Sequence, residues 1–245
     1  MNLNKKITNL LKPYFVDYIG FANLKSYQNE LTEFGGNIVK GYNSGISIGI
    51  VIPDSIVDFL PERADKNVAC EYKIHGYDVL NQRLNLVASF LSSYLNQKGF
   101  RSLPIAVADR TDEENAIPTV SHKMIAHIAG LGWIGKNCLL ITNEHGPRVR
   151  FISILTNAPL KTVDNPLAQR CNDCEECMKA CPMKAIKGRN YISGEGREER
   201  FEFLQCQNYF DKMKKVKMYA VCGLCLYSCP YGKGAEYHTH APNRA

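Results

Sequence analysis

Residues 171–182, CNDCEECMKACP, hold Cys171, Cys174 and Cys177 with two residues between each, then Cys181 after three more and Pro182 directly behind it. Three thiols so spaced can wrap one cubane iron–sulfur cluster, while the fourth turns away toward a second cluster. Zinc, the alternative for clustered cysteines, is usually held by two pairs of ligands rather than a tight series closed by Cys-Pro. The pattern therefore reads as iron–sulfur ligation.

A second stretch, YAVCGLCLYSCP at 219–230, repeats the run with its first ligand missing. Aligned on the closing Cys-Pro, it gives Cys222, Cys225, Cys229 and Pro230, with Tyr219 in the place of the first cysteine. Both halves follow the ligand run of bacterial two-cluster ferredoxins. A [4Fe–4S] cluster needs four ligands, and Cys206 is the nearest further candidate in sequence. Exchanging the fourth cysteines between halves gives one cluster Cys171, Cys174, Cys177 and Cys229. The other takes Cys181, Cys206, Cys222 and Cys225. Of the ten cysteines this leaves Cys70 and Cys138, which read as small buried core residues.

The rest of the composition bounds the setting. Net charge is +6, from 30 Lys and Arg against 24 Asp and Glu. The basic residues gather late, in KAIKGRNYISGEGREER and DKMKKVK, as either a solvated face or a docking surface for an acidic redox protein or nucleic acid. The N-terminal residues follow helical spacing and do not read as a targeting segment, and no apolar run is long enough to span a bilayer. Clustered thiols with no export signal fit a reducing compartment, so a cytoplasmic protein with no membrane association is expected.

The expected fold is mixed, α+β or α/β. A mixed-sheet domain over 1–163 precedes a small two-cluster, bacterial-ferredoxin-like domain over 164–245 with a short tail. DYIGFANL, GISIGIVIP, LPIAVA, CLLIT and RVRFISILT read as strands. GYDVLNQRLNLVASFLSSYLNQKG reads as a long amphipathic helix, and TVSHKMIAHIAG as a helix capped by Thr119 or Ser121 and stopped by Gly130. Between the latter helix and CLLIT lies AGLGWIGKN, 129–137. Gly130, Gly132 and Gly135 spell G-x-G-x-x-G, and with Lys136 they nearly spell a P-loop. Either nucleotide motif must follow a strand and open a helix. Here the order is reversed, so the glycines end a helix and form a tight turn.

Taken together, AGLGWIGKNCLLIT, GPRVRFISILTNAPL and the split cysteine repeats resemble the epoxyqueuosine reductase family, which is related to corrinoid-dependent reductive dehalogenases. The resemblance covers about residues 100–235, and the fourth ligand at Cys206 also fits the family's pattern. It implies a corrinoid-binding-like first domain holding a cobalamin-type cofactor, with Gly130, Gly132, Trp133, Gly135 and Lys136 lining its pocket. It further implies that reduced ferredoxin or flavodoxin supplies electrons, which pass through two [4Fe–4S] clusters to cobalt for a reductive elimination or deoxygenation. The family's acidic proton donor, in Asp-Ser-x-Pro, falls here on Asn115 or Ala116 of ENAIPTVSHK. Asp112, Glu113, Glu114 and His122 are the nearby substitutes, and Asp112 and His122 are taken as the candidate catalytic pair. The chain ends at HTHAPNRA without the helical-repeat extension linked to tRNA recognition. The expected substrate is a small molecule or modified nucleoside, with tRNA left in doubt. An electron-transfer protein with no substrate of its own is the competing reading.

Overall fold

The structure, a computed structural model, describes residues 2–107, 117–163 and 166–233. The chain forms two compact units, each discontinuous in sequence. The first comprises Met1–Val51, Leu80–Gly132 and Arg150–Leu167, the second Ile52–Val79, Trp133–Val149 and Ala168–Ala245. The units thus do not follow a linear division into 1–163 and 164–245. The segments 52–79 and 133–149 pack with the cysteine-bearing loops and are drawn into the second unit.

The first unit is built on strands β1 (Tyr18–Asn23), β2 (Ser44–Val51), β3 (Ser102–Ile105) and β6 (Val149–Thr156), in the order β1-β2-β6-β3. β1 runs antiparallel to β2, with Tyr18 opposite Gly49 and Asn23 opposite Ser44. β3 runs antiparallel to β6, with Ser102 opposite Thr156. β2 is buried from Ser44 to Ile50, as a continuous apolar run bounded by turn residues predicts for a central strand. Helices α1 (Leu3–Leu11) and α2 (Gln28–Gly35) flank this sheet in sequence. Helix α5 (Leu80–Gln97) buries Leu80, Leu84, Val87, Ala88, Leu91 and Leu95, the stripe its helical spacing predicts. It packs on β2 and β3. The long helix expected from Gly76 is instead α-helical only from Leu80, with a π-helical turn over Ile74–Val79.

Helix α6 (His122–Ile128) lies on β1 and β2. Its N-cap is Ser121, whose hydroxyl accepts from the Met124 amide. At the other end Gly130 takes φ +74°. Its N–H donates to the His127 carbonyl at 2.9 Å, and that of Leu131 to Ala126 at 3.0 Å. This pair of bonds is a Schellman motif, which calls for a left-handed residue where Gly130 stands. The helix end sits close on β1, for a Cβ at Gly20 would come within 2.8 Å of Ala129 and Leu131.

In the second unit the chain forms a hairpin of β4 (Trp133–Ile134) and β5 (Leu140–Ile141), with Trp133 opposite Ile141. Helices α3 (Asp54–Val57) and α4 (Lys66–Lys73) precede it in sequence, and α7 (Glu176–Ala180), α8 (Phe203–Lys215) and α9 (Leu224–Tyr227) follow. α7 packs against α9, bringing the two cysteine repeats together. Arg148 is 2% exposed and its guanidinium ties Asp54 and Asp58 at 2.6 and 2.8 Å.

Substituting Gly130→Ala isolates the backbone requirement, because the new Cβ would meet only Val163, at 3.4 Å. The cost is then conformational, about 1–2 kcal/mol. It is read as a lower urea midpoint with an unchanged m-value.

Candidate metal centre

The β4–β5 turn decides how the cysteine loops are held. The Gly135 N–H donates to the Leu139 carbonyl at 2.8 Å and the Cys138 N–H to Gly135 at 2.9 Å. Cys138 adopts φ +59° and is buried, as expected of a core cysteine. The turn thereby directs Lys136 and Asn137 toward the cysteines. The Lys136 ammonium, on a residue 7% exposed, donates to the carbonyls of Asn172 at 2.6 Å and Cys174 at 3.2 Å. Asn137 Nδ2 donates to the Cys225 carbonyl at 3.0 Å, while its Oδ1 accepts from the Leu139 amide. One tight turn thus ties both cysteine repeats.

Cys171, Cys174, Cys177 and Cys229 line one cavity together with Lys136, Asn137, Ile141 and Tyr231. Burial and the neighbouring Cys171 and Cys174 push the Cys177 thiol up to about 12, against a smaller opposing pull from Lys136. Cys229 is likewise raised to about 12, by burial first and by Cys171, Cys177 and Cys174 after it. A second group forms around Cys225, whose thiol is raised by burial and by Cys222, Cys206, Cys177 and Cys181. Cys206 is pushed up to about 11 by burial and by Cys222 and Cys181. Burial also raises Cys222, opposed in part by the Arg63 guanidinium. Arg63 is held by the Tyr209 hydroxyl at 3.0 Å, and the Cys181 sulfur accepts from the Ala185 amide at 3.3 Å.

The structure therefore brings the eight cysteines of 171–229 into one neighbourhood, with Cys171, Cys174, Cys177 and Cys229 around one cavity and Cys177 also among the neighbours of Cys225. Among the described residues no group of His, Cys, Asp or Glu closes around a single metal ion. The donor chemistry fits iron–sulfur clusters. Buried thiols that repel one another when ionised favour a cationic centre that takes them as thiolates.

The other expected site residues are placed differently. Trp133 is 1% exposed and packs with Ile141 and Cys229, its ring edge-on to Tyr231 at 4.7 Å. The Arg170 guanidinium lies 5.6 Å from its ring centre. Trp133 and Lys136 are thus committed to the cysteine side. Gly135 serves the hairpin turn. Gly130 and Gly132 remain at the end of α6, where the Gly132 carbonyl meets His127 Nδ1 at 2.9 Å. His122 has both ring nitrogens engaged: Nε2 with the Ala106 carbonyl at 3.2 Å and Nδ1 with Ser153 Oγ at 3.1 Å. A carbonyl only accepts, so Nε2 carries the proton in its bond to Ala106. Asp112, Glu113, Glu114, Asn115 and Ala116 lie outside the described residues. Cys70, expected in the core, is half-buried. Helix α4 turns Ala69 and Tyr72 inward in its stead.

Residues 170–232 match the family described as the 4Fe-4S double cluster binding domain. The epoxyqueuosine reductase of Listeria monocytogenes serovar 1/2a is 31% identical over 172 residues, 68% of this chain and 41% of that protein. An epoxyqueuosine reductase solved with a tRNA-Tyr epoxyqueuosine-modified stem loop superposes with a TM-score of 0.58 at 20% identity. The superposition covers 95% of this chain and 66% of that one. A reductive dehalogenase whose structure suggests a mechanism for B12-dependent dehalogenation superposes at 0.67 and 18% identity, covering 95% of this chain and 32% of that one. The chain is thus a mixed α/β protein carrying a double-cluster binding domain. It is a relative of the epoxyqueuosine reductase family, spanning about two fifths of the Listeria protein's length. No helix among the described residues is long and apolar enough to cross a membrane.

Two expectations follow from the site. Lys136→Met leaves two carbonyls without a charged donor and should cost about 1.5–3 kcal/mol, against about 0.5–1.5 for Asn137→Ala. Anaerobic urea unfolding of both variants measures the difference. His127 has its pKa lowered, mainly by burial. Its contribution to stability is therefore full above the unfolded-state value near 6.5 and declines as pH falls below it toward the folded-state value. Unfolding midpoints between pH 8 and 5 should fall less steeply in His127→Gln than in the parent.

Proposed function

We propose that this chain is an iron–sulfur reductase of the epoxyqueuosine reductase type. The observation that carries the reading is the cavity that Cys171, Cys174, Cys177 and Cys229 line together, with Cys181, Cys206, Cys222 and Cys225 taken as the second set. In this reading each set holds one [4Fe–4S] cluster, and the clusters supply one-electron transfer over low potentials. The residues around them hold that wire in place. Lys136 and Asn137 fix the two loops, and Arg63 and the Ala185 amide offer positive charge and a hydrogen bond at the second set.

We further propose that the electrons reach a corrinoid, which would supply a low-valent metal centre for a reductive deoxygenation or elimination. Support comes from the relatives, including the B12-dependent dehalogenase mechanism suggested for one of them. The bare backbone at Gly130 and Gly132 suits close approach of a flat macrocycle, whereas Trp133 and Lys136 act on the cluster side. The proposed substrate is a modified nucleoside or similar small molecule, by analogy with the stem-loop complex of one relative. His122, held by Ser153 and Ala106, is proposed to position the α6 end, with Asp112 the remaining candidate proton donor. The tied ring of His122 also keeps the electron-carrier reading in play.

Anaerobic purification with iron and sulfide analysis, followed by a hydroxocobalamin titration, tests these readings. Eight irons per chain are expected, four for each cluster of the double-cluster domain, together with a base-off corrinoid spectrum. Cys206→Ala should lose about half of the iron and Cys70→Ala none. Clusters without corrinoid binding would leave an electron carrier, and a chain that takes up no iron would sink both readings.

A further inference from the structure

Two basic stretches stand in the cysteine-bearing unit, and the structure separates them. In the first, the cations other than the exposed Lys184 are answered locally. Lys187 pairs with Glu202, Arg189 with Glu195 and Glu199, Arg197 with Glu198, and Arg200 with Glu195. In the second, Lys212, Lys214, Lys215 and Lys217 are all exposed, and Asp211, 3.5 Å from Lys214, is the acid among them. The excess positive charge is therefore concentrated at the end of α8.

That helix also carries Cys206, and none of its residues is fully buried. Cys206, Tyr209, Phe210 and Met213 form its half-buried side, while Leu204, Asn208 and Lys215 recur at helical spacing along the outward side. Leu204 is 65% exposed and Val216 63%. The favourable charge–dipole interaction accounts for cations in a last turn, but not for exposed apolar residues beside them. Apolar contacts ringed by one sign of charge are what a transient protein interface uses. The loop of the other cysteine set carries Asp173, Glu175 and Glu176 exposed, with Lys179 paired to Glu175.

We propose that the outward face of α8 and the following Val216–Tyr219 segment is the docking surface for a small acidic electron-carrier protein, which delivers electrons to the cluster that includes Cys206. The inference rests on the two-cluster reading above. Charge complementarity names the occupant and the side. An anionic carrier is drawn to the lysines and repelled by Asp173, Glu175 and Glu176. It thus arrives one helix thickness, about 10 Å, from the Cys206 set. The carrier gives up one electron and is oxidised, and the cluster is reduced by that electron.

Stopped-flow reduction of the reconstituted protein by a reduced acidic [2Fe–2S] ferredoxin tests it. The second-order rate constant should fall steeply with ionic strength. It should drop about tenfold or more at low salt in Lys212→Glu/Lys214→Glu/Lys215→Glu/Lys217→Glu, in the range expected for electrostatic steering. Reduction by light-reduced deazaflavin and the iron content should stay at parental levels in that variant. An equal charge change placed elsewhere, Lys5→Glu/Lys6→Glu/Lys12→Glu/Lys40→Glu, should leave the rate within about twofold. A rate insensitive to salt, equal slowing in both variants, or no reduction by the ferredoxin despite eight irons per chain overturns the docking site. Absence of iron in the parent instead overturns the cluster reading beneath it.

Discussion

Three hydrogen bonds from the β4–β5 turn to the cysteine loops are the constraint on which the cysteine-bearing unit depends. Cys177, Cys225 and Cys229 each have their thiol pushed upward by burial and by other cysteines. Thiolates so placed would repel one another in a medium that screens poorly. The loops that carry these cysteines are tied by the two bonds from the Lys136 ammonium and the one from Asn137. A buried ammonium is costly alone, and here it is both hydrogen-bonded and adjacent to groups that become negative when they ligate.

The segment that supplies those bonds is the one that spells two nucleotide motifs. Its glycines perform separate tasks on either side of the boundary between the units. Gly130 terminates α6 in the left-handed region, and Gly135 begins a hairpin turn in which a Cβ would come within 2.8 Å of Asn137 Oδ1. A phosphate-binding loop would aim free N–H groups outward from a helix N-terminus. In this chain the Gly130, Leu131, Gly135 and Cys138 amides are all bonded to the backbone. Spelling is shared, but the amides of Gly130, Leu131 and Gly135 are spent on the backbone.

Much of the fold was legible because local rules decide it. The apolar run of β2, the stripe of α5, the Ser121 cap and the Gly130 stop each follow from residues near in sequence. The gathering of the cysteines was legible too, since the offset Cys-Pro repeats mark both loops, and Cys171, Cys174, Cys177 and Cys229 do line one cavity. Long-range contacts were not. Nothing local marks Lys136 as the partner of the Asn172 and Cys174 carbonyls, or Arg63 as the neighbour of Cys222, because a backbone acceptor has no sequence signature. Cys70 was misjudged for the same reason: a lone cysteine reads as core until the helix face it occupies is known. The discontinuous units follow from it as well, since periodicity reveals that a segment has an apolar side but not what covers it.

Charge tells a similar story at larger scale. A net charge of +6 and two lysine- and arginine-rich stretches look equivalent on paper. In the folded chain the Arg189, Arg197 and Arg200 guanidinium groups are matched by Glu195, Glu198 and Glu199. Such pairs add little stability when exposed, but they offset most of the positive charge of that stretch. What is left stands on the helix that carries Cys206, so the electrostatic asymmetry of the unit runs in parallel with the division of its cysteines. A chain that moved electrons between two equivalent clusters would have no reason to differ in charge at its two ends. Under the proposed docking of an acidic carrier, the difference would give the path a direction, inward from the side of α8.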